Sequence, residues 1–310
     1  MHFELAQPPL LSRATFNRAD EIRDDAARMA AGWPQAKVLL IDPAGRYPVE
    51  ESGALHWVDA TTVAPEPPAD AVILGFDGVD LWTRRVDHID GPTDDARRGA
   101  TRLSADEGGI LATALGILNW HETARHSPVD GSLTTPARGG WVRRSVDSGR
   151  DEFPRTDPAI ITVVHDGADR ILLGRQAVWP DGWYSTLAGF VEPGESLEQC
   201  VLREVHEEVG IVVREPRYLG SQPWPFPRSL MLGFAAIGDP ADELAFLDGE
   251  IGDAQWFHRD EVREALSRGD GWTRADTPGE PDAPRLRLPG SISIARSMIE
   301  SWAAASPTVN

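Results

Sequence analysis

The segment GFVEPGESLEQCVLREVHEEVGI, residues 189–211, decides the fold. From Ser196 to Val209 its spacing is helical. Leu197, Val201, Val205 and Val209 recur at i, i+4, i+8 and i+12 and form one apolar stripe. Pro193-Gly194 suits a tight turn ahead of this helix, and Gly210 suits its C-terminal cap. Glu204, Glu207 and Glu208 stand at i, i+3 and i+4, which brings three carboxylates onto one face. Unscreened, they repel one another and crowd the helix end whose dipole disfavours negative charge. A hard divalent cation, Mg²⁺ or Mn²⁺, relieves both problems and keeps waters for phosphate oxygens or a nucleophile. The bland alternative is an exposed acidic helix face.

Working outward, SQPWPFPRS (221–229) follows closely. Three prolines stiffen it, so Trp224 and Phe226 can present fixed faces for ring stacking, while Gln222 and Ser229 offer neutral hydrogen-bond groups. A Pro-rich connector with two core aromatics is the alternative reading. Upstream, AIITVVHDG (159–167) and RILLGRQ (170–176) predict a hairpin. Downstream the pattern predicts a strand at 231–237 and helices near 259–267 and 291–304. The loop between those helices, 268–290, is Pro/Gly-rich and of a length often tied to lids. Residues 124–157 read as a loop-rich linker. Before them, KVLLI (37–41) and AVILGF (71–76) predict strands, and 105–123 an amphipathic helix. No catalytic constellation appears in that half, which reads as structural, with a part in dimerisation.

With 310 residues the chain has room for two domains. No apolar run is long enough to span a bilayer and no signal pattern opens the chain, so a cytoplasmic protein without a membrane partner is expected. Lys and Arg number 30 against 49 Asp and Glu, a formal charge of -19. That balance argues against broad, sequence-independent nucleic-acid binding. It leaves room for a small polyanion, since carboxylate-held cations invert the local field. Cys200 is the only cysteine, which excludes an intramolecular disulfide and a cysteine-rich zinc site. In its helical setting it reads as a small buried apolar residue and takes no part in the chemistry. Neither a GxGxxG after a strand nor a GxxxxGK[ST] is present, so a dinucleotide would bind without a Rossmann or P-loop cradle.

Residues 189–211 resemble the Nudix box, G-x5-E-x7-R-E-U-x-E-E-x-G-U with U apolar, at every defined position. SQPWPFPRS resembles the element that follows the box in the NADH pyrophosphatase branch of the Nudix hydrolases. DGEIGDAQWF (248–257), SIAR (293–296) and EFPRTDPAII (152–161) resemble further segments of that branch. The resemblance implies an α/β fold: a Nudix α/β/α sandwich with a mixed sheet in the C-terminal half, preceded by an α+β N-terminal domain and a ribbon-like insert. The implied domains are 1–123, a linker at 124–157, and a catalytic domain at 158–310. Catalysis is implied at Glu204, Glu207, Glu208 and Arg203, with Arg203 orienting a glutamate by a salt bridge and the general base unassigned. The implied metal ligands are Glu204, Glu207, Glu208 and Glu250. Substrate contacts are implied at Phe153 (where Tyr is usual), Ala188, Gln222, Pro223, Trp224, Pro225, Phe226, Pro227, Arg228, Ser229 and Ala295.

The implied reaction is metal-dependent cleavage of NADH to reduced nicotinamide mononucleotide and AMP, with NAD⁺ and related dinucleotides as further substrates. Removal of an NAD cap from RNA 5′ ends by the same chemistry is the alternative, and a non-hydrolytic nucleotide sensor a more distant one. Relatives of this kind are homodimers. One departure is large. Many relatives carry a four-cysteine zinc ribbon, and the corresponding positions here are Ser127, Asp130, Ser145 and Ser148. Three hydroxyls and a carboxylate are not a structural zinc set, so no zinc is expected there.

Overall fold

A computed structural model describes residues 2–246, 249–269 and 285–306. The chain divides into two compact units. One comprises Leu11–Thr156 and Pro223–Ser229, and the other Met1–Leu10, Asp157–Gln222 and Leu230–Asn310.

In the first unit, α1 (Ala26–Gly32) precedes β1 (Lys37–Ile41), β2 (Arg46–Pro48), β3 (Val58–Asp59), α2 (Ala60–Val63), β4 (Val72–Asp77), β5 (Val79–Arg85), β6 (Thr93–Asp95), α3 (Ala96–Gly99) and α4 (Ala105–Thr123). A four-stranded sheet has the order β3-β1-β5-β4, with β1 parallel to β5 and the other pairs antiparallel. Helix α4 keeps the bounds expected from its periodicity. Ser104 and Glu107 close a capping box at its start, which satisfies two otherwise orphaned backbone N–H groups.

The ribbon follows as β7 (Thr134–Ala137), β8 (Val142–Ser145) and β9 (Asp151–Glu152) in one small sheet. Two of its turns close on a glycine with positive φ. Gly131 donates its N–H to Ser127 O (2.9 Å) and Gly149 to Ser145 O (3.0 Å). Three of the four positions considered above for zinc, Asp130, Ser145 and Ser148, are joined by hydrogen bonds, and Ser127 is bonded elsewhere. Ser145 Oγ lies 2.6 Å from Ser132 Oγ, 2.8 Å from Ser148 Oγ and 3.1 Å from Asp130 Oδ2, while Ser127 Oγ donates to Glu152 Oε1 (2.8 Å). Hydroxyls of Ser148 and Ser132 hold the Asp130 carboxyl well below the usual carboxylate range.

The second unit contains β10 (Asp157–His165), β11 (Arg170–Gln176), β12 (Leu187–Phe190), α5 (Leu197–Val209), β13 (Arg214–Trp224), β14 (Ser229–Ile237), β15 (Ile251–His258), α6 (Arg259–Ser267) and α7 (Ile294–Ala304). Its sheet runs β13-β14-β10-β11-β15, with β12 also on β10. Both faces of this sheet are covered, which is why its central strands read as continuous apolar runs rather than alternating ones. Ile160, Val164 and Leu172 pack with Val201, Val205 and Val209 of α5. Ile161, Val163, Ile171 and Leu173 point to the opposite face and pack with Val262 of α6 and Met298 and Trp302 of α7. This is the α/β/α sandwich.

The boundary expected at 157/158 lies one residue from the one between the units, whereas the boundary expected at 123/124 falls inside the first unit. Residues up to Leu10 fold with the sandwich, where Phe3 is buried among Ile161 and Val163. Residues 124–156 fold with the preceding half, and so does the Pro-rich segment 223–229. Local pattern cannot show which core a tail or a hairpin tip joins. Strand β15 was also not legible as a strand, because Gly252 and Asp253 interrupt its apolar alternation.

Candidate active site

Helix α5 is the frame of the site. Ser196 caps it by accepting from Gln199 N–H, and Gly210 ends it with φ 78°, the left-handed conformation that glycine adopts without strain. With the valine stripe buried, the other face carries Arg203. Its Nε and Nη2 donate to Glu195 Oε1 and Oε2 at 2.7 and 2.9 Å, a bidentate pair. Its Nη1 donates to both Glu204 Oε1 and Glu207 Oε2 at 2.9 Å, and Nη2 also reaches the Phe190 carbonyl. One guanidinium thus ties the box's first glutamate to two later ones and to β12. Its contact with Glu195 raises the Arg203 pKa further, and Arg203 in turn lowers the Glu195 carboxyl to about 2. Burial pushes the Glu204 carboxyl above its ordinary range, an effect only partly offset by Arg203.

The box glycine has a steric reason. Gly189 on β12 lies opposite Ile160 of β10, and a Cβ there would fall 1.9 Å from the Glu204 carboxyl carbon. Only glycine leaves room for the carboxylate. The three helix glutamates are not equivalent. The Glu204 and Glu207 side chains are 13% and 48% exposed, whereas Glu208 is buried at 4%. Their helical spacing places them close together, but Glu208 turns inward and Arg203 engages the other two. Among the described residues no three His, Cys, Asp or Glu groups converge to hold a metal ion. The expected ligand set of Glu204, Glu207, Glu208 and Glu250 is therefore not assembled. The donor chemistry nonetheless suits a hard cation: two carboxylate oxygens already converge on one positively charged nitrogen, Arg203 Nη1. An open groove of about 650 Å³ borders this cluster, lined by Glu192, Glu195, Gln199, Leu202, Arg203 and His206.

The remaining expected residues divide by unit. Within the sandwich, Ala188 pairs with Ile161 beside the box and Glu250 is exposed just before β15. Two of the expected contact residues are buried and have partners within the protein. Gln222 is fully buried; its Nε2 donates to Ile292 O (2.7 Å) and its Oε1 accepts from Ile294 N–H (2.6 Å). Its amide holds the start of α7. Ala295 is 1% exposed in the core, so its methyl group packs inside the protein and not on a surface. The loop expected at 268–290 lies largely outside the described residues.

Within the first unit, Phe153 is 64% exposed. Trp224 and Phe226 meet edge to face, centroids 4.9 Å apart, and the Arg97 guanidinium lies 4.2 Å from the Phe226 ring centre and 5.6 Å from that of Trp224. Pro225 is buried, Pro227 is exposed, and Pro223, Arg228 and Ser229 are intermediate. Sequence reasoning passed over Arg97, because nothing local links residue 97 to residue 226. It also passed over Phe190, a 58% exposed ring directly after the box glycine, whose apolar character was the available signal.

Comparison with known proteins extends these observations. The NUDIX domain family matches residues 155–275. The chain is 50% identical over 311 residues to the NAD-capped RNA hydrolase NudC of Mycobacterium bovis (strain BCG / Pasteur 1173P2), an alignment covering 97% of each chain. It is 34% identical over 217 residues to the Homo sapiens NAD-capped RNA hydrolase NUDT12, covering 67% of this chain and 44% of that one. A solved NUDIX hydrolase from Nitrosomonas europaea is similar over 44% of this chain and 78% of its own, with a TM-score of 0.38 and 20% identity.

Proposed function

The chain belongs to the NADH pyrophosphatase branch of the Nudix hydrolase family, and from that premise we propose that it cleaves the pyrophosphate linkage of NAD at the 5′ end of capped RNA. One observation carries this reading: half the residues are identical, over nearly the whole length, to a protein named for that activity. It reverses the order in which the sequence alone ranks the substrates, where free NADH comes first.

A divalent cation, when bound, neutralises the anionic oxygens of the P–O–P linkage and acidifies a coordinated water. Glu204 and Glu207 would hold it, with Glu208 and Glu250 drawn into the set when the ion binds, since the four do not stand together without it. Arg203 keeps Glu204 and Glu207 oriented, and Gly189 leaves Glu204 the space it needs. Trp224 and Phe226 offer ring faces to a base, and Phe153 offers a further exposed ring. No covalent nucleophile is called for. Cys200 is fully buried and its thiol is pushed up to about 12 by burial, so it stays protonated.

Free NADH is the second reading, favoured by the formal charge of -19, which is unfavourable for extended contact with an RNA backbone. Product analysis separates the two. Purified protein is incubated with NAD-capped RNA or NADH, with Mg²⁺ or Mn²⁺, at several salt concentrations and beside Glu207→Gln. Decapped RNA ending in a 5′-monophosphate, lost in the variant and with chelator, supports the proposal. Cleavage of NADH with intact capped RNA moves the assignment to the free dinucleotide. Binding without any product leaves a sensor. A homodimer is part of the same proposal, checked by light scattering.

A further inference from the structure

The Pro-rich segment cannot hold its own shape through backbone pairing. Pro223, Pro225 and Pro227 have no N–H, and Phe226 N–H is taken by Trp224 O at 2.8 Å. The Pro225 and Pro227 carbonyls therefore need donors from elsewhere. Both find the same one. Asn119, on α4 of the same compact unit, donates from Nδ2 to Pro225 O (3.1 Å) and to Pro227 O (2.9 Å). Its Oδ1 accepts from Arg85 Nη2 (2.8 Å), and Arg85 Nη1 donates to Asp42 O (2.7 Å). Both the nitrogen and the oxygen of the Asn119 amide thus have partners, which fixes which way the group faces. Gly116, one turn earlier on α4, lies beneath Pro225, whose Cβ is 4.0 Å from where a glycine Cβ would stand. The residues clamped are those that bracket Phe226 and follow Trp224.

We propose that Asn119, oriented by Arg85, is a positioning residue for the aromatic pair Trp224 and Phe226, so that the N-terminal half supplies the support on which the substrate base is received. The inference rests on the reading of Trp224 and Phe226 as substrate contacts. Nothing in residues 105–123 announces this role, because Asn119 is one of several polar residues near the end of the helix. A positioning role predicts a particular failure. Losing the clamp frees two carbonyls and lets the rings sample other orientations, so binding weakens while the residues of α5 keep their geometry.

The test compares Asn119→Ala, Asn119→Asp, Trp224→Ala and the Asn119→Ala/Trp224→Ala double variant. Readouts are KM and kcat on NADH and NAD-capped RNA, and the dissociation constant for NADH by titration with metal omitted. Asn119→Asp keeps the size and the Arg85 contact but turns an acceptor toward two carbonyls. We expect KM and the dissociation constant to rise about tenfold in both Asn119 variants, with kcat within about threefold of wild type. In the Trp224→Ala background, Asn119→Ala should add no further rise. A merely structural Asn119 would lower the melting temperature and leave the dissociation constant of the folded protein alone. An unchanged constant, or an equal rise with and without Trp224, overturns the inference while leaving the proposed function standing. Wild type that neither binds nor cleaves either substrate overturns both.

Discussion

Gly189 and Glu204 occupy each other's space: a single methyl group on Gly189 would lie 1.9 Å from the Glu204 carboxyl carbon. The contact joins β12 to α5 and explains why glycine opens the box. Gly189→Ala should displace Glu204 from its bond to Arg203 and lower kcat by about a hundredfold, the scale of a misplacement near 1 Å. Circular dichroism and the melting temperature should change little, since Gly189 is not in the core. A variant with wild-type kcat would remove the steric account.

The Glu195–Arg203 pair carries an acid signature. The folded pKa of Glu195, about 2, lies below its ordinary 4.5. Its contribution to stability is therefore complete above a pH of about 4.5 and fades as pH falls through about 2. Glu195→Gln should lose that contribution. The difference in melting temperature between wild type and variant should be constant at neutral pH and shrink from about pH 4.5 downward. A difference independent of pH across that window would contradict the assignment.

The ribbon should be indifferent to chelators. Ser145, 2% exposed, lies within hydrogen-bond distance of Ser132, Ser148 and Asp130. Ser145→Ala should cost about 1–3 kcal/mol, the range for leaving buried partners unsatisfied, read as a melting temperature lowered by several degrees. Prolonged dialysis against a strong chelator should leave the wild-type melting curve in place. Stoichiometric zinc surviving that dialysis, measured by plasma mass spectrometry, would contradict a metal-free ribbon.

Gln222 offers a contrast between holding and binding. Gln222→Leu keeps the volume and leaves Ile292 O and Ile294 N–H without their side-chain partner. About 2 kcal/mol of stability should be lost by urea denaturation, from desolvated groups left unpaired. A smaller stabilisation of the variant than of wild type by the same concentration of NADH would point back to a direct substrate contact.

Much of the sandwich was legible because its signals are local. The valine stripe of α5, the hairpin of β10 and β11 and the capping residue Gly210 are each set within one or two turns of chain. So was the acidic set, since glutamates at i, i+3 and i+4 share a helix. Their inequality was not legible. That Glu208 is buried while Glu207 faces solvent depends on what the sheet places beneath α5.

The amino-acid sequence alone determined the family, the box, the helix that carries it and the absence of cysteine ligands in the ribbon, because each depends on residue type at short, fixed spacing. Tertiary structure alone decided which groups meet across the chain. It placed Gln222 under the start of α7, Arg97 over the rings of Trp224 and Phe226, Asn119 on the carbonyls of Pro225 and Pro227, and Phe3 in a core formed by residues more than 150 positions away. Such contacts join segments remote in sequence. Their selection comes from burial and from the satisfaction of backbone groups, neither of which leaves a periodic mark in the chain.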